Sequence, residues 1–430
     1  MWLQSAAILV LVSSFPLSAQ TRRDIIERSE QMSYEKETRP HQSAEIFIGS
    51  ALQTSLAVLE ARGLNSGAIP MQPWSGYFWA NLKGGLGFRW QDPAFPQGHW
   101  GDARSYVEHR PFTQTATGQL SPAEKYDLAM NIDPRFPGSL TSAEWKLGEQ
   151  EFNRTGSVLG WQGICHGWAP ASVFYPEPKK DVLVQGQLGP ILFKIDDIKA
   201  LGSAFWANGF YRSVYAGFRC RLDEIPRDSE GRVTDPHCFS MNPADWHLIL
   251  THMVGELKKP FIIDIDNRSE VWNKPIISYR LEYFDLTNHA RTSARFMNVV
   301  KERSRLGNLR FARYRSNEVV HVVGVRSTVV VGYGSTPGEA MPQRRTLVFE
   351  YDLELDGSYQ VLGGEWRSQK HPDFVWRPEF GTTATNLGET RGLNLRSLGD
   401  RNWQAAAKRN NQGRIPLKSF VDYLFEESSR

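Results

Sequence analysis

Apolar side chains recur at helical spacing in several stretches of the first 260 residues, which indicates a largely helical first part of the chain. Ser121, Pro122 and Glu124 form a capping box that opens one helix. Asn242 and Pro243 open another, whose apolar stripe begins at Trp246. Helices are predicted over residues 45–62, 121–128, 195–210 and 242–257.

The last third of the chain changes to alternating or continuous apolar residues rich in valine and isoleucine, which is typical of antiparallel strands. A buried strand over 261–267 and a short strand over 181–185 precede this region. The longer strands are predicted over residues 276–283, 319–331 and 347–355. The pattern therefore predicts an α+β protein with a strand-rich antiparallel C-terminal half.

The chain ends differ from its middle. Residues 1–19 have the short apolar run and small-residue cleavage site of a signal peptide. We predict a polar leader or propeptide over 20–45, a catalytic domain over 46–385 and a polar extension over 386–430. No other stretch is long and apolar enough to span a bilayer. The expected location is therefore secreted, either periplasmic or extracellular.

The net charge of the 430-residue chain is only +3, with both signs interspersed, which argues against a nucleic-acid binder. Its three cysteines are informative in an exported protein. Cys220 and Cys238 bracket a polar segment, and a disulfide there would contribute about 3 kcal/mol by closing a short loop. This pairing, among the alternatives that the sequence leaves open, makes Cys165 the free thiol.

Cys165 lies between Gly163 and Gly167, just before a helix-start signal. We expect the glycines to let a substrate backbone approach the sulfur. The positive end of a helix dipole favours a thiolate, so Cys165 is a candidate nucleophile rather than an inert buried thiol. The Cys165 backbone N–H, with Gln162 or Trp161, is a candidate oxyanion donor, and Trp168 is a candidate cleft residue.

His247 is expected at the half-buried edge of the helix that Asn242 opens, where the helix N-terminus would keep its ring neutral as a general base. Asp264 and Asp266 follow on one strand, and a period of two places them on the same face. Either acid could orient a histidine. Asp264 is the first choice and Asp266 the alternative. Cysteine, histidine and acid occur in this order in papain-like and transglutaminase-like enzymes.

Several sequence blocks resemble the elicitor-type transglutaminases, a secreted family typified by the oomycete cell-wall enzyme. The blocks with the most specific motifs are Gly163 to Ala171, around the cysteine, and Val271 to Pro275, with the pattern Val-Trp-Asn-x-Pro. Supporting blocks lie at residues 74–79, 83–85, 120–128, 197–201, 242–247, 363–366 and 371–374.

The resemblance implies a papain-like cysteine acyltransferase core with Cys165, His247 and Asp264 as the catalytic triad. It also implies glutamine in a protein as acyl donor and lysine or polyamine as acceptor. In that family the Trp-Asn-x-Pro segment is a surface peptide sensed by plant immunity. Here Lys274 and Ile276 replace the usual glutamine and valine.

Three functions remain open at this stage. The first is transglutaminase activity, the second a cysteine peptidase or glutamine deamidase with the same triad, and the third a non-catalytic secreted module. Transfer to an amine and transfer to water differ in how the cleft excludes water, which the sequence does not specify. No metal ligand set is predicted, because the chain lacks a CxxC pair and an EF-hand pattern. No cofactor is required, and calcium is left open because transglutaminases often depend on it.

Overall fold

The computed structural model describes residues 41–339, 343–388 and 393–430. Its α-helices are α1 (Gln42–Ile48), α2 (Leu56–Ala61), α3 (Trp100–His109), α4 (Pro122–Ala129), α5 (Leu140–Thr155), α6 (Cys165–Phe174), α7 (Ile195–Asn208), α8 (Pro243–Ile249), α9 (Arg401–Asn411) and α10 (Lys418–Ser429). A π-helical segment, Leu250–Glu256, continues α8.

The strands are β1 (Ser66–Ala68), β2 (Val182–Gly186), β3 (Gly189–Phe193), β4 (Ser213–Gly217), β5 (Ile262–Asp264), β6 (Asn273–Asp285), β7 (Asn288–Ser293), β8 (Lys301–Glu302), β9 (His321–Gly332), β10 (Arg344–Leu355), β11 (Val361–Trp366) and β12 (Phe374–Pro378). The main sheet has the order β11-β10-β9-β6-β5-β12-β4, and the pairs along it are antiparallel. Strands β2 and β3 form a separate hairpin.

Two large apolar cores stabilise this architecture. The helical core lies among the helices and the β2–β3 hairpin and includes Trp74, Tyr126, Trp168, Phe205 and Trp403. The sheet core joins α1 and α8 to the main sheet and includes Trp246, Ile263, Tyr283, Val325 and Tyr351. Helix α6 belongs to the helical core but also packs against β6 of the sheet.

Local signals in the sequence predicted several elements correctly. The Ser121 hydroxyl accepts from the Glu124 N–H at 3.2 Å, and the Glu124 carboxylate accepts from the Ser121 N–H at 2.9 Å, so the capping box is confirmed. The Asn242 side chain caps α8 by accepting from the Ala244 N–H at 2.8 Å. Helix α7, strand β2 and the antiparallel strands of the last third are confirmed as well. The α+β class is therefore established.

The predicted helix over 45–62 was wrong, because two helices occupy this region. Helix α1 ends at Gly49, which has a φ of 78° and takes the left-handed conformation typical of a helix C-terminus. The chain then runs irregularly until Ser55 precedes α2. The apolar spacing across the break came from two separate buried faces, which meet the core at Phe47 and Leu59.

The segment predicted as a polar C-terminal extension contains α9 and α10, and both pack into the helical core. Trp403 and Phe420 are fully buried there. The helices carry polar residues on their outer faces, which explains the polar composition of the segment. The predicted signal peptide and most of the predicted leader lie outside the described residues.

The predicted disulfide between Cys220 and Cys238 is confirmed, and it closes a loop between β4 and α8. Cys165 is the remaining free cysteine, and it is buried. In the ranges that the structure describes, no helix is long and apolar enough to cross a membrane.

Candidate active site

Cys165 is the first residue of α6, a helix that is buried along most of its length. A Cβ on Gly167 would lie 2.1 Å from the Ser203 carbonyl oxygen, and one on Gly163 would lie 2.3 Å from the Phe78 carbonyl oxygen. The two glycines therefore allow α6 and its preceding loop to pack closely against other backbone. This corrects the expectation that they make room for a substrate.

The thiol of Cys165 lies against the segment that leads into β6. It donates to the Val271 carbonyl oxygen at 3.6 Å, and the Asn273 Nδ2 donates to its sulfur at 3.6 Å. The Trp376 indole N–H donates to Asn273 Oδ1 at 2.6 Å. Because an indole nitrogen can only donate, this bond fixes the amide orientation and directs the NH₂ group toward sulfur. The sulfur thus has an oriented hydrogen-bond donor.

Asp264 ends β5 and pairs across the sheet with Asn273. Its Oδ1 accepts from the Trp272 backbone N–H at 2.9 Å, while its buried Oδ2 has no partner within the described ranges. Burial raises the pKa of Asp264 well above its usual value, although the Trp272 N–H opposes the shift, and the nearby Asp373 raises it further. The Asp264 side chain therefore anchors the backbone between the two residues that contact the thiol. The structure brings Cys165 and Asp264 to one place through this segment.

Strand β5 ends at Asp264, so the strand period of two that predicted a shared face does not extend to Asp266. Its carboxylate forms an ion pair with Arg268 at 2.8 Å. Burial alone would raise the pKa of Asp266, but the hydrogen bonds and charge of Arg268 lower it overall. The Asp266 carboxylate therefore stabilises the local turn after β5 through its ion pair with Arg268.

His247 is fully buried, not half-buried at the edge of its helix as predicted. Its Nδ1 lies 3.1 Å from the Tyr351 hydroxyl, and its ring centroid lies 6.5 Å from that of Tyr283. Burial lowers the pKa of His247 to about 3, and the charge of His252 adds to the effect. The ring therefore stays neutral, surrounded by aromatic side chains of the sheet.

The structure does not bring His247 to Cys165. Tyr283, beside His247, and Asn273, beside Cys165, are ten residues apart on the single strand β6. At the rise of an extended strand this separation is roughly 30 Å. The predicted triad is therefore not assembled. His247 of α8 lies beside Tyr283, near the C-terminal end of β6, whereas Cys165 of α6 lies beside Asn273, at the N-terminal end of the same strand.

The other predicted site residues lie just before α6, at Trp161 and Gln162, and within it, at Trp168. The Gln162 carbonyl oxygen accepts from the Asn81 N–H at 2.9 Å, and Trp161 is half-buried. The Trp168 indole N–H donates to the Trp74 carbonyl oxygen at 3.2 Å, so it is already engaged. The face of the Trp168 ring lies beside the ammonium of Lys274, with 5.0 Å between Nζ and the ring centroid.

The sequence interpretation missed Asn273, Lys274 and Trp376 as site residues. The block that contains Asn273 and Lys274 resembled a surface peptide, yet these two side chains are only 3% and 4% exposed. Two polar residues at the start of an apolar strand were the available signal. Nothing in the sequence pointed to Trp376, which lies 103 positions after Asn273.

The described residues contain no cluster of three or more histidine, cysteine, aspartate or glutamate side chains that could hold a metal ion. Asp264 and Asp373 are both buried, and burial raises the pKa of each carboxyl, that of Asp373 to about 7.

Comparison with known proteins agrees with the predicted resemblance. The crystal structure of the GP42 transglutaminase from Phytophthora sojae matches with a TM-score of 0.58 and 19% sequence identity, over 91% of this chain and 99% of that chain. At this identity the likeness concerns the fold. A search of curated proteins finds no significant match. The family model named transglutaminase elicitor matches residues 41–398, and the chain therefore belongs to the transglutaminase elicitor family.

Proposed function

We propose that this protein is a protein-glutamine γ-glutamyltransferase in which Cys165 is the nucleophile. The observation that carries the proposal is the position of the one cysteine outside the disulfide. Cys165 begins a buried helix and has an oriented amide donor on its sulfur. Membership of the transglutaminase elicitor family supports the same reaction class.

The proposed reaction has two steps. The Cys165 sulfur attacks the side-chain carboxamide carbon of a glutamine, the C–N bond breaks, and the thiol proton leaves with ammonia as a thioester forms. A lysine or polyamine nitrogen then attacks the thioester, the C–S bond breaks, and the amine proton returns to sulfur. The product is an isopeptide bond, and the thiol is regenerated.

Three features of the site support this chemistry. The N-terminal end of α6 favours negative charge on Cys165. The Asn273 NH₂ group, oriented by Trp376, can donate to the thiolate. Asp264 anchors the Trp272 backbone and so positions the segment over the thiol. In this proposal His247 has no catalytic role, and the papain-like assignment of the core rests on the family resemblance.

The recessed position of the thiol supports glutamine as the acyl donor. Cys165 is 5% exposed and lies beneath the segment of Val271 and Asn273. A long, narrow glutamine side chain suits a recessed sulfur better than a main-chain peptide bond does. The Cys220–Cys238 disulfide supports an oxidising compartment, and we propose that the protein acts after secretion.

Incorporation of a fluorescent primary amine into a glutamine-rich protein tests the proposal, with ammonia release followed in parallel. We expect labelling by the parent protein and none by Cys165→Ala. Loss of the sulfur-facing donor in Asn273→Ala should slow labelling by about 10²-fold. Asn288→Ala, at an exposed position, serves as the matched control. Each protein is assayed with and without calcium.

Other outcomes assign other functions. Ammonia release without labelling, lost in Cys165→Ala, would identify a glutamine deamidase. Cleavage of the substrate protein through Cys165 would identify a cysteine peptidase. Absence of all three signals from the folded parent protein would contradict an enzymatic role and favour a non-catalytic secreted module.

A further inference from the structure

Lys274 is a buried lysine next to the candidate nucleophile. It follows Asn273 at the start of β6, pairs across the sheet with Ile263, and is only 4% exposed. Among the residues that the structure describes, no carboxylate forms an ion pair with it. Burial of a lysine is costly unless its surroundings favour the charge. The position of Lys274 therefore requires an explanation beyond strand formation.

Three aromatic rings surround the Lys274 ammonium. The distances from Nζ to the ring centroids are 4.6 Å for Tyr333, 5.0 Å for Trp168 and 5.5 Å for Trp272. Rings at this range attract a cation through their negative faces. We call these three residues the aromatic cage.

Two residues of the aromatic cage, Trp168 and Trp272, lie close in the chain to Cys165 or to the residues that contact its sulfur. Trp168 follows Cys165 by three residues and so lies on the same face of α6. Trp272 lies between Val271 and Asn273, and both of these residues contact the sulfur. The cage therefore holds the Lys274 ammonium against Trp168 of α6, the helix that Cys165 begins, and the charges of Lys274 and Cys165 interact.

The pKa of Lys274 lies closer to neutral pH than that of an exposed lysine, and the lysine still carries its charge for the most part at pH 7. Burial lowers the pKa of Lys274 to about 8, the charge of Cys165 opposes this shift, and Arg345 on β10 adds to it. Asp264 on β5 raises the pKa of Lys274 and so favours its charged form. His166 adjoins Cys165 in the chain, and Tyr333 of the cage is a further titratable group beside Lys274.

We propose that Lys274 is the cationic partner of Cys165 and stabilises its thiolate. The S–H bond breaks, the proton leaves to solvent, and the electron pair stays on sulfur. The Lys274 ammonium and the Asn273 NH₂ group then stabilise the negative charge. Lys274 thereby supplies the cation that histidine provides in other cysteine enzymes. This inference rests on the proposed role of Cys165 as nucleophile and is independent of the acyl acceptor.

Alkylation of Cys165 by iodoacetamide across pH 5–10 tests the inference without any substrate, since the other two cysteines form the disulfide. We expect Lys274→Gln to slow alkylation at pH 7 by about tenfold and to move the midpoint of the pH profile upward. Lys274→Arg, which keeps the charge, should restore a midpoint close to that of the parent protein. His166→Gln is the control for a histidine origin of the profile. Circular dichroism monitors folding, and Lys274→Met, which keeps a long unbranched side chain, replaces Lys274→Gln should the latter not fold.

Identical profiles for the parent protein and the uncharged variants would overturn the inference. A midpoint that moves in His166→Gln but not in Lys274→Gln would assign the role to His166 and overturn it as well. The outcome is separate from that of the proposed function. If amine labelling is absent from the parent protein while Lys274→Gln slows alkylation, the transferase proposal fails and the thiolate pair stands.

Discussion

At the scale of single residues, buried titratable side chains set how this protein responds to pH. His247 and His371 are both buried, and burial lowers the pKa of each to about 3. In the unfolded chain a histidine takes up a proton near pH 6.5. The unfolded state therefore binds protons first as the pH falls, and stability is lost below pH 6.5.

Replacement of His247 by glutamine should remove part of this acid sensitivity. Between pH 7 and pH 4.5 we expect the free energy of unfolding of His247→Gln to fall by about 2 kcal/mol less than that of the parent protein. Urea unfolding at both pH values measures the difference. Because His247 is remote from Cys165, alkylation of the thiol should be unchanged. Equal losses of stability, or loss of thiol reactivity, would contradict the structural role of His247.

Asp264 should produce the opposite dependence on pH. Its pKa is raised in the folded protein, so the native state keeps a proton that the unfolded chain releases near pH 4. Stability due to this group therefore falls as the pH rises above that point. Asp264→Asn keeps an acceptor for the Trp272 N–H and cannot ionise. We expect it to be more stable than the parent protein at pH 8 and similar to it at pH 4, as measured by urea unfolding.

Asp264→Ala provides the comparison, because alanine removes the acceptor for the Trp272 N–H. This variant should be less stable than Asp264→Asn at both pH values, and its thiol should be alkylated more slowly because the segment over Cys165 loses its anchor. Indistinguishable behaviour of the two variants would mean that this hydrogen bond does not position the segment.

At the scale of elements, the contact between α6 and α7 determines where Cys165 lies. Gly167 makes this contact, and a Cβ there would lie 2.1 Å from the Ser203 carbonyl oxygen and 2.5 Å from the Ala207 Cβ. We expect Gly167→Ala to lower the free energy of unfolding by about 1–3 kcal/mol, because α6 must move away from α7. Thermal or urea unfolding measures this cost.

Gly160→Ala is the matched control, since a Cβ at Gly160 has no atom within 4 Å. The Gly167 variant should also alter the rate of Cys165 alkylation, because both residues lie in the first turn of α6. Equal stability of the two glycine variants would show that the helix pair can separate without cost.

Elements with local signals were predictable from the sequence, whereas the site was only partly so. The caps at Ser121 and Asn242 lie within three residues of the groups that they bond, so the sequence contains both partners. Cys165 could be chosen because the chain has few cysteines and one of them begins a helix. The order of Cys165 and His247 along the chain does not specify the distance between them. The length of strand β6 shows that the two residues are far apart.

At the scale of the whole molecule, contacts between distant parts of the chain complete both the site and the core. Trp376 orients Asn273 from 103 residues away, and α10 packs beside α4, where Tyr126 meets Phe420 at a ring-centroid distance of 5.8 Å. Such contacts form only in the folded chain and cannot be seen in its sequence. The prediction of a polar C-terminal extension therefore rested on composition alone. The C-terminal helices are instead part of the helical core.

Phe420→Ala tests this dependence of the helical core on its last helix. Phe420 is fully buried and also contacts Phe193 of β3, with 5.5 Å between the ring centroids. Its truncation should lower the free energy of unfolding by about 3–5 kcal/mol, through lost apolar burial and the cavity left behind. Leu395→Ala, at a position that is 42% exposed, is the control and should change stability by less than about 0.5 kcal/mol. Equal effects of the two substitutions would mean that α10 is dispensable for the core, and an effect near 4 kcal/mol confined to Phe420→Ala would make the last helix part of the folding unit that holds α6 and Cys165.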